Sequence, residues 1–464
     1  MFANKLFIAL ITIIVELLKV ERMHPMIDYG QNIYHLKNNI YFAPHLHIVY
    51  ETEGGVIEDL AFQNWVQDNT HFNFSVQNIY DPRYSKAAEI LVTDRCNLSC
   101  TYCYSGGYRS RQTIDKTFAT EIVKHLFRNA YMARISSGKK DTVYILFHGG
   151  GEPTQAWDEL VHIVNYSNEL SKKYDINVKY NLATNGVFEK EQLNYLLKNN
   201  FDFRISLDGI GSVNDVTRPM ANQTSSFPIV SDNLDDINKS RHRFVIAGVV
   251  TNENINEMGN FISYSVARWN NVYDIRFFML EETELTNRNG IDLLNLKKFQ
   301  QSLYNGIALM IENKIGKYNK YNSICDYLVR NHKGCCAPSI MQMPVYNSNG
   351  DILRCNAHVF DEKAKIGKFV DGRVVFEKEK YMHLFNEING KTGDCKKCLC
   401  STYCEFGGDS CVKPIKQTDS YCKYMQNFFT GLLCDIYYNP ELVSTSRVIS
   451  EHYPGIKKVV FWGM

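Results

Sequence analysis

Between residues 88 and 280 the chain alternates short β-type runs with helical patterns, and this alternation limits what it can fold into. The runs are Ile90–Thr93, Val143–Phe147, Val178–Ala183, Phe203–Leu207, Phe244–Val250 and Ile275–Leu280. Helical patterns such as Phe118–Met132 and Leu160–Lys172 lie between them. Strands rich in Val, Ile and Phe that alternate with helices specify a parallel sheet. The six runs predict an α/β partial barrel of the (β/α)6 type. In parallel α/β architectures ligands bind beyond the carboxyl ends of the strands. The residues that carry chemistry are therefore expected just after each run.

The first run leads into Cys96-Asn97-Leu98-Ser99-Cys100-Thr101-Tyr102-Cys103, and no further cysteine appears before Cys325. A loop this tight can aim three thiolates at one point but cannot easily supply a fourth. Iron–sulfur clusters are normally held by four thiolates. A cubane held by three leaves one iron open, and an open metal position is a reactive one. The competing reading is a half-built zinc site or a chance cluster, although zinc knuckles favour Cys-x2-Cys pairs that close to four ligands. The second run is followed by His148-Gly149-Gly150-Gly151-Glu152-Pro153. Its glycines let the backbone approach a ligand, and Glu152 offers a carboxylate to an ammonium group. The third is followed by Thr184-Asn185-Gly186, where Asn185 can donate and accept hydrogen bonds, or form a plain turn. The fourth ends in Ser206-Leu207-Asp208-Gly209, with Asp215 and Arg218 beyond it. An arginine fork suits a carboxylate, whereas Asp208 and Asp215 read as structural caps.

The spacing Cys-x3-Cys-x-aromatic-Cys resembles the signature of the radical S-adenosylmethionine (SAM) enzymes, whose fold is also a partial barrel. In that family the open iron of a [4Fe-4S] cluster binds the amino and carboxylate groups of SAM. An electron from the cluster cleaves SAM, and the resulting 5′-deoxyadenosyl radical abstracts a hydrogen from the substrate. The resemblance implies that Cys96, Cys100 and Cys103 are the cluster ligands and the catalytic set, with Tyr102 beside SAM. Gly150, Gly151, Glu152 and Pro153 match the family's Gly-Gly-Glu-Pro motif at the SAM amino group, and Asn185 falls at the SAM site. The stretch from Ser206 to Arg218 resembles a pattern of peptide- and sulfatase-maturing members, in which the serine and arginine reach the SAM ribose and carboxylate. Val249, at the end of the fifth run, would line the adenine pocket or be plain core.

Fourteen cysteines in 464 residues fall into two fields, the second running from Cys325 to Cys434. A secreted disulfide scaffold spreads its bridges through a small domain, so two dense fields read better as metal ligands in a reducing, cytoplasmic setting. The second field resembles the SPASM extension, which normally holds two auxiliary [4Fe-4S] clusters. It departs from that pattern once, with six residues rather than three between Cys404 and Cys411. The resemblance assigns Cys395, Cys398, Cys404 and Cys422 to a distal cluster, and Cys336, Cys355 and Cys411 to a proximal one. The fourth proximal ligand is Cys325 or Cys335, or is left open for substrate, and Cys335 and Cys336 cannot be told apart by counting. Cys400 and Cys434 fall outside the pattern and read as free thiols. On its own, Cys-x2-Cys followed by Cys suits a zinc ribbon almost equally well.

The net charge of +1 gives no reason to expect nucleic acid or an acidic membrane as partner. The apolar run Leu6 to Val15 is too short for a membrane span and lacks a clear cleavage site, so 1–26 is set apart, with Met23 or Met26 as candidate starts. Residues 27–84 hold the β-type runs Asn32–Leu36, Asn39–Phe42 and His47–Tyr50. In size and order this unit is similar to the peptide-recognition element of peptide-modifying radical SAM enzymes, or it is a simple extension packed on the barrel. The remaining expectations are a core barrel over 85–285, a helical connector over 286–324, a SPASM domain over 325–436 and a C-terminal tail over 437–464.

Three functions compete on these residues. The first is modification of a ribosomally made precursor peptide, for instance by a thioether or carbon–carbon crosslink, with electrons from a flavodoxin- or ferredoxin-type donor. The second is anaerobic sulfatase maturation to formylglycine. Those enzymes place an acid directly after the cysteine equivalent to Cys355, whereas Asn356 stands here and cannot take a proton near neutral pH. The third is a non-enzyme, an electron carrier or zinc-stabilised binding protein, against which the motifs after successive strands argue.

Overall fold

The structure is a computed structural model. It describes residues 33–43, 48–54, 60–70, 81–106, 111–280, 284–292, 343–356, 362–381, 398–399, 419–438, 446–449 and 453–462, with single positions between. The segment 1–26, most of the connector 286–324, and Cys325, Cys335, Cys336, Cys395, Cys400, Cys404 and Cys411 lie outside the described residues.

Strands β1 (Tyr34–Lys37), β2 (Ile40–Ala43) and β3 (Ile48–Thr52) form an antiparallel meander, followed by helix α1 (Leu60–Thr70). Alternation decides which side chains go where. Ile48 and Tyr50 pack with Phe62 and Val66 of α1, whereas Ile40, Phe42 and Val49 join the main core.

The main sheet starts at β4 (Ala87–Ile90). It continues through helix α2 (Lys116–Ser137), β5 (Thr142–Phe147), α3 (Trp157–Tyr174), β6 (Asn177–Thr184), α4 (Lys190–Lys198) and β7 (Asp202–Ser206). Helices α5 (Ser212–Thr217) and α6 (Phe227–Lys239) then lead to β8 (Phe244–Val250), α7 (Met258–Arg268) and β9 (Val272–Met279), with α8 (Glu284–Arg288) beyond. Strands β4 to β9 lie side by side in chain order, and every neighbouring pair is parallel. Local chemistry sets the helix ends. The Asp115 carboxylate accepts from the Thr117 and Phe118 amides to start α2, and Gly138 at φ 68° ends it.

All six expected strands overlap their runs, the first only at Ile90. The ladder takes Ala87–Ile90, and Leu91–Thr93 leave it. There the Ile114 amide donates to the Val92 carbonyl and Thr93 bridges Thr113, so this run turns away to form the floor of the cysteine loop.

The same sheet grows past β4. Strand β10 (Val345–Tyr346) pairs parallel with β4, and β11 (Asp351–Leu353), β12 (Lys365–Val370) and β13 (Arg373–Phe376) follow as an antiparallel meander. The start of the region expected to be a separate cysteine-rich domain is thus sheet-continuous with the core, which brings Cys355 and Asn356 beside β4 and β5.

The segment expected as a tail is also structural. Helix α9 (Asp419–Tyr438) leads to strands β14 (Ser446–Ile449) and β15 (Ile456–Trp462). Strand β15 pairs antiparallel with β3, giving a five-stranded sheet in the order β1-β2-β3-β15-β14. Phe429, Leu433 and Ile436 of α9 share the main core with Phe42, Val49 and Val460. The two ends of the chain therefore build one unit.

Candidate active site

The cysteine loop is laced to the segment after α5. The Ser99 amide donates to the Pro219 carbonyl (2.9 Å), Thr101 to Thr217 (3.0 Å) and Ala221 to Asn97 (2.9 Å). Cys100 is buried, and Cys96 and Cys103 are half-buried. Burial pushes the Cys100 thiol up to about 12, opposed by the nearby Arg218 guanidinium and reinforced by Cys103 and Cys96. Cys100 thus lies close enough to Cys103 and Cys96 to sense both. Among the described residues no group of three or more His, Cys, Asp or Glu could hold a metal ion. Cys96 Sγ also accepts from the Leu98 amide (3.5 Å) and from Asn185 Nδ2 (3.7 Å).

The glycine loop lies directly against this floor. Gly149 and Gly150 adopt φ 73° and 68°. The Gly151 amide donates to the Thr93 carbonyl and the Glu152 amide to Arg95. A Cβ on Gly151 would come within 2.0 Å of the Arg95 carbonyl oxygen, so only glycine lets the two loops touch. Ser105 Oγ donates to the Gly150 carbonyl and lies 3.3 Å from Cys103 Sγ.

Glu152 is held from within the fold. Its carboxylate is 2% exposed and turned inward. Oε1 accepts from Thr184 Oγ1 (2.7 Å), Thr154 Oγ1 (3.0 Å) and the Thr154 amide, and Oε2 accepts from the Asn185 amide (2.7 Å). Burial raises its pKa and these donors oppose the rise. Through these bonds the carboxylate staples the glycine loop to the end of β6. Pro153 opens the short 3-10 turn that follows, Pro153–Ala156.

Asp208 is a hub that the sequence reading treated as a cap. Its Oδ2 accepts from Tyr102 (2.6 Å) and Thr217 (2.8 Å), and its Oδ1 from the Val249 amide (2.9 Å). Arg218 Nη1 donates to the Tyr102 hydroxyl at 2.7 Å and lies 4.0 Å from Asp208. Tyr102, Arg218 and Val249, three of the predicted site residues, are thus joined through one carboxylate. Asp215 does cap: it accepts from the Ser226 and Phe227 amides at the start of α6. Ser206 ends β7, half-buried on the sheet face away from the helices. A cavity of about 800 Å³ opens beside Cys100, lined also by Thr217, Thr251, Leu285 and Asn289, a size suited to a small-molecule ligand.

Of the second cysteine field, Cys355 is buried beside β11, and Cys398 and Cys422 are half-buried. Gln426 Nε2 donates to Cys398 Sγ at 3.5 Å, and the Tyr34 hydroxyl to the Cys398 carbonyl.

Residues 90–264 match the profile described as the Radical SAM superfamily. A cysteine-type anaerobic sulfatase-maturating enzyme of Clostridium novyi (strain NT) is 25% identical over 370 residues, 73% of this chain and 92% of that protein. The radical SAM cyclopropyl synthase TigE of Paramaledivibacter caminithermalis is 26% identical over 162 residues, 32% of this chain and 33% of that protein. Among solved structures, native anSMEcpe with bound AdoMet and Kp18Cys peptide has a TM-score of 0.59 at 20% identity, covering 76% of this chain and 99% of that one. Residues 90–264 thus match a radical SAM domain, and over 73% of its length the chain is similar to an anaerobic sulfatase-maturating enzyme.

Proposed function

We propose that this enzyme modifies a ribosomally made peptide through hydrogen abstraction, with SAM held at the carboxyl ends of β4 to β8. The observation that carries this reading is convergence. The cysteine loop, glycine loop, Thr184-Asn185 turn and Asp208–Arg218 pair come from four different strand ends and bond to one another. Cys96, Cys100 and Cys103 would hold the [4Fe-4S] cluster, which supplies the single electron that cleaves the sulfonium of SAM. Gly150 and Gly151 would present backbone to the amino group of SAM. Glu152 and Pro153 set the shape of that loop, and Asn185 holds Cys96. Tyr102 and Arg218, locked by Asp208, would meet the ribose and carboxylate beside Ser206, with Val249 against the adenine. Cys355, Cys398 and Cys422, with Cys325, Cys335, Cys336, Cys395, Cys404 and Cys411, would hold two auxiliary clusters in a SPASM-type region. Residues 27–84 would dock the precursor by strand addition, and a flavodoxin or ferredoxin would supply electrons.

A second reading, sulfatase maturation, is favoured by the likeness to the Clostridium novyi enzyme over 92% of its length. Asn356 weighs against it, because an amide cannot accept the proton that formylglycine formation releases. Anaerobic reconstitution tests the family chemistry: about twelve iron per chain for three cubanes, and 5′-deoxyadenosine released from SAM under reduction. Co-expression with candidate peptides, read by mass spectrometry, separates the two readings. A peptide crosslink supports the first, and oxidation of a sulfatase cysteine or serine the second.

A further inference from the structure

Acid–base capacity at this site is concentrated in a pair of residues with no role in the arrangement above. Glu89 sits on β4 and is 2% exposed. Its Oε1 accepts from His148 Nδ1 at 2.8 Å and from Asn356 Nδ2 at 2.6 Å. Asn356 directly follows Cys355, whose Sγ lies 3.9 Å from Asn356 Oδ1. His148 follows β5 and immediately precedes the glycine loop, and its side chain is 30% exposed. Asn356 Nδ2 also lies against His148 Nδ1. A carboxylate can only accept, so the tautomer that donates Nδ1–H to Glu89 leaves the lone pair on Nε2, to which no hydrogen bond is found among the described residues. A buried carboxylate behind a half-open imidazole is the arrangement that orients a general base and stabilises its charged form. The other ionisable groups around the pair are Tyr104 on the cysteine loop, whose hydroxyl meets the Gly150 amide, and Arg204 on β7, which senses the Glu89 charge across the sheet. Arg204 itself is pressed by Arg276 of β9, which pairs with Asp274. The Tyr104 hydroxyl is engaged by the Gly150 amide and a guanidinium only donates, so His148 Nε2 is the open acceptor of the group.

We propose that His148 is a catalytic base for the peptide substrate and Glu89 its positioning residue; this rests on the peptide-modifying reading. His148 Nε2 takes a proton from an X–H group of the peptide (thiol, hydroxyl or amide). The X–H electron pair stays on X, the imidazolium pairs with the Glu89 carboxylate, and the proton later leaves to water.

The test uses reconstituted holoenzyme and the peptide whose mass shift defines the parental activity. In H148A, 5′-deoxyadenosine forms at the parental rate while peptide modification falls at least about 10²-fold, and added imidazole restores it. E89Q shows a smaller fall and a shifted pH profile, and E89D recovers part of the loss. Independently of turnover, diethyl pyrocarbonate labels His148 in the parental protein, and E89Q slows the labelling. Unchanged peptide modification in H148A would overturn the assignment while leaving the radical SAM reading intact. So would loss of both products without imidazole rescue, which would make His148 part of the loop's support. A parental enzyme that releases no 5′-deoxyadenosine sinks the functional reading instead, and the labelling still decides whether Glu89 orients His148.

Discussion

The two faces of the parallel strands differ sharply. On the face packed under the helices, Val143, Ile145, Phe147, Leu182, Phe203 and Ile205 are at most 2% exposed. On the opposite face of the same strands lie Tyr144 at 43%, then Lys179, Asn181, Arg204, Ser206 and His148, all half-buried or exposed. Parallel strands covered on both sides usually read as continuous apolar runs. Here β6 and β7 alternate apolar and polar, as a sheet does with one face left open to water or a polar ligand. One face stabilises the fold, and the other, at its carboxyl end, carries the candidate site. Substitutions on the two faces should therefore fail in different assays.

The largest expected effect is on the chemical side. Cys100→Ala removes the buried member of the trio, and 5′-deoxyadenosine release should drop to background together with the SAM-dependent cluster signal. The thermal transition of the strand-and-helix core should survive. Collapse of the whole fold in this variant would break the division between the faces, because it would make the cysteine loop a structural staple. Phe147→Ala is the counterpart on the packed face. Phe147 is fully buried and stacks on Phe201, so its loss should cost about 3–5 kcal/mol of stability, read by denaturant unfolding, with SAM cleavage per folded molecule unchanged.

The helix-facing half of this division was legible in the sequence, because Val, Ile and Phe at every second position mark strands and strand order follows chain order. The positions of the motifs after the strands were legible for the same reason. The roles inside the site were less so. Glu152 follows a glycine run, a local pattern that says nothing about where its carboxylate points; its burial against Thr184 and the Asn185 amide comes from how β5 and β6 end. The Glu89–His148–Asn356 cluster joins residues 59 and 267 positions apart, and no local spacing encodes such a meeting. Glu89 lies inside an apolar run, where an isolated acid signals a polar inner face. Asn356 reaches it only because β10 pairs with β4, and a two-residue strand in a cysteine-rich region gives no periodic signal. The pairing of β15 with β3 was hidden in the same way, because it links the two ends of the chain.

Intermediate effects sharpen the division within the chemical half. Gly151→Ala places a methyl group against the Arg95 carbonyl, so the glycine and cysteine loops must separate. A displacement of this order can cost about 10²-fold in rate. The expected result is a loss of that size in 5′-deoxyadenosine formation with cluster iron retained. Tyr102→Phe removes the hydroxyl shared by Asp208 and Arg218. Leaving a buried donor and acceptor short of a partner costs about 1–3 kcal/mol, to be seen as weaker SAM binding by equilibrium dialysis more than as a lower melting temperature.

The smallest effect on stability is expected at Arg204, next in sequence to the buried Phe203. Its guanidinium faces away from the helices, and its pKa is lowered by burial and then by Arg276. No hydrogen bond or ion pair to it is found among the described residues. A partly desolvated cation without a close partner contributes little to folding, and replacing such a group by an apolar one of similar length is often neutral or favourable. Arg204→Met should therefore shift stability by less than about 1 kcal/mol, in the stabilising direction if at all, whereas Phe203→Ala should cost about 3–5 kcal/mol. Parallel denaturant titrations of the two variants decide the matter. An Arg204→Met protein as unstable as Phe203→Ala would mean that the open face is as much a part of the folding core as the packed one.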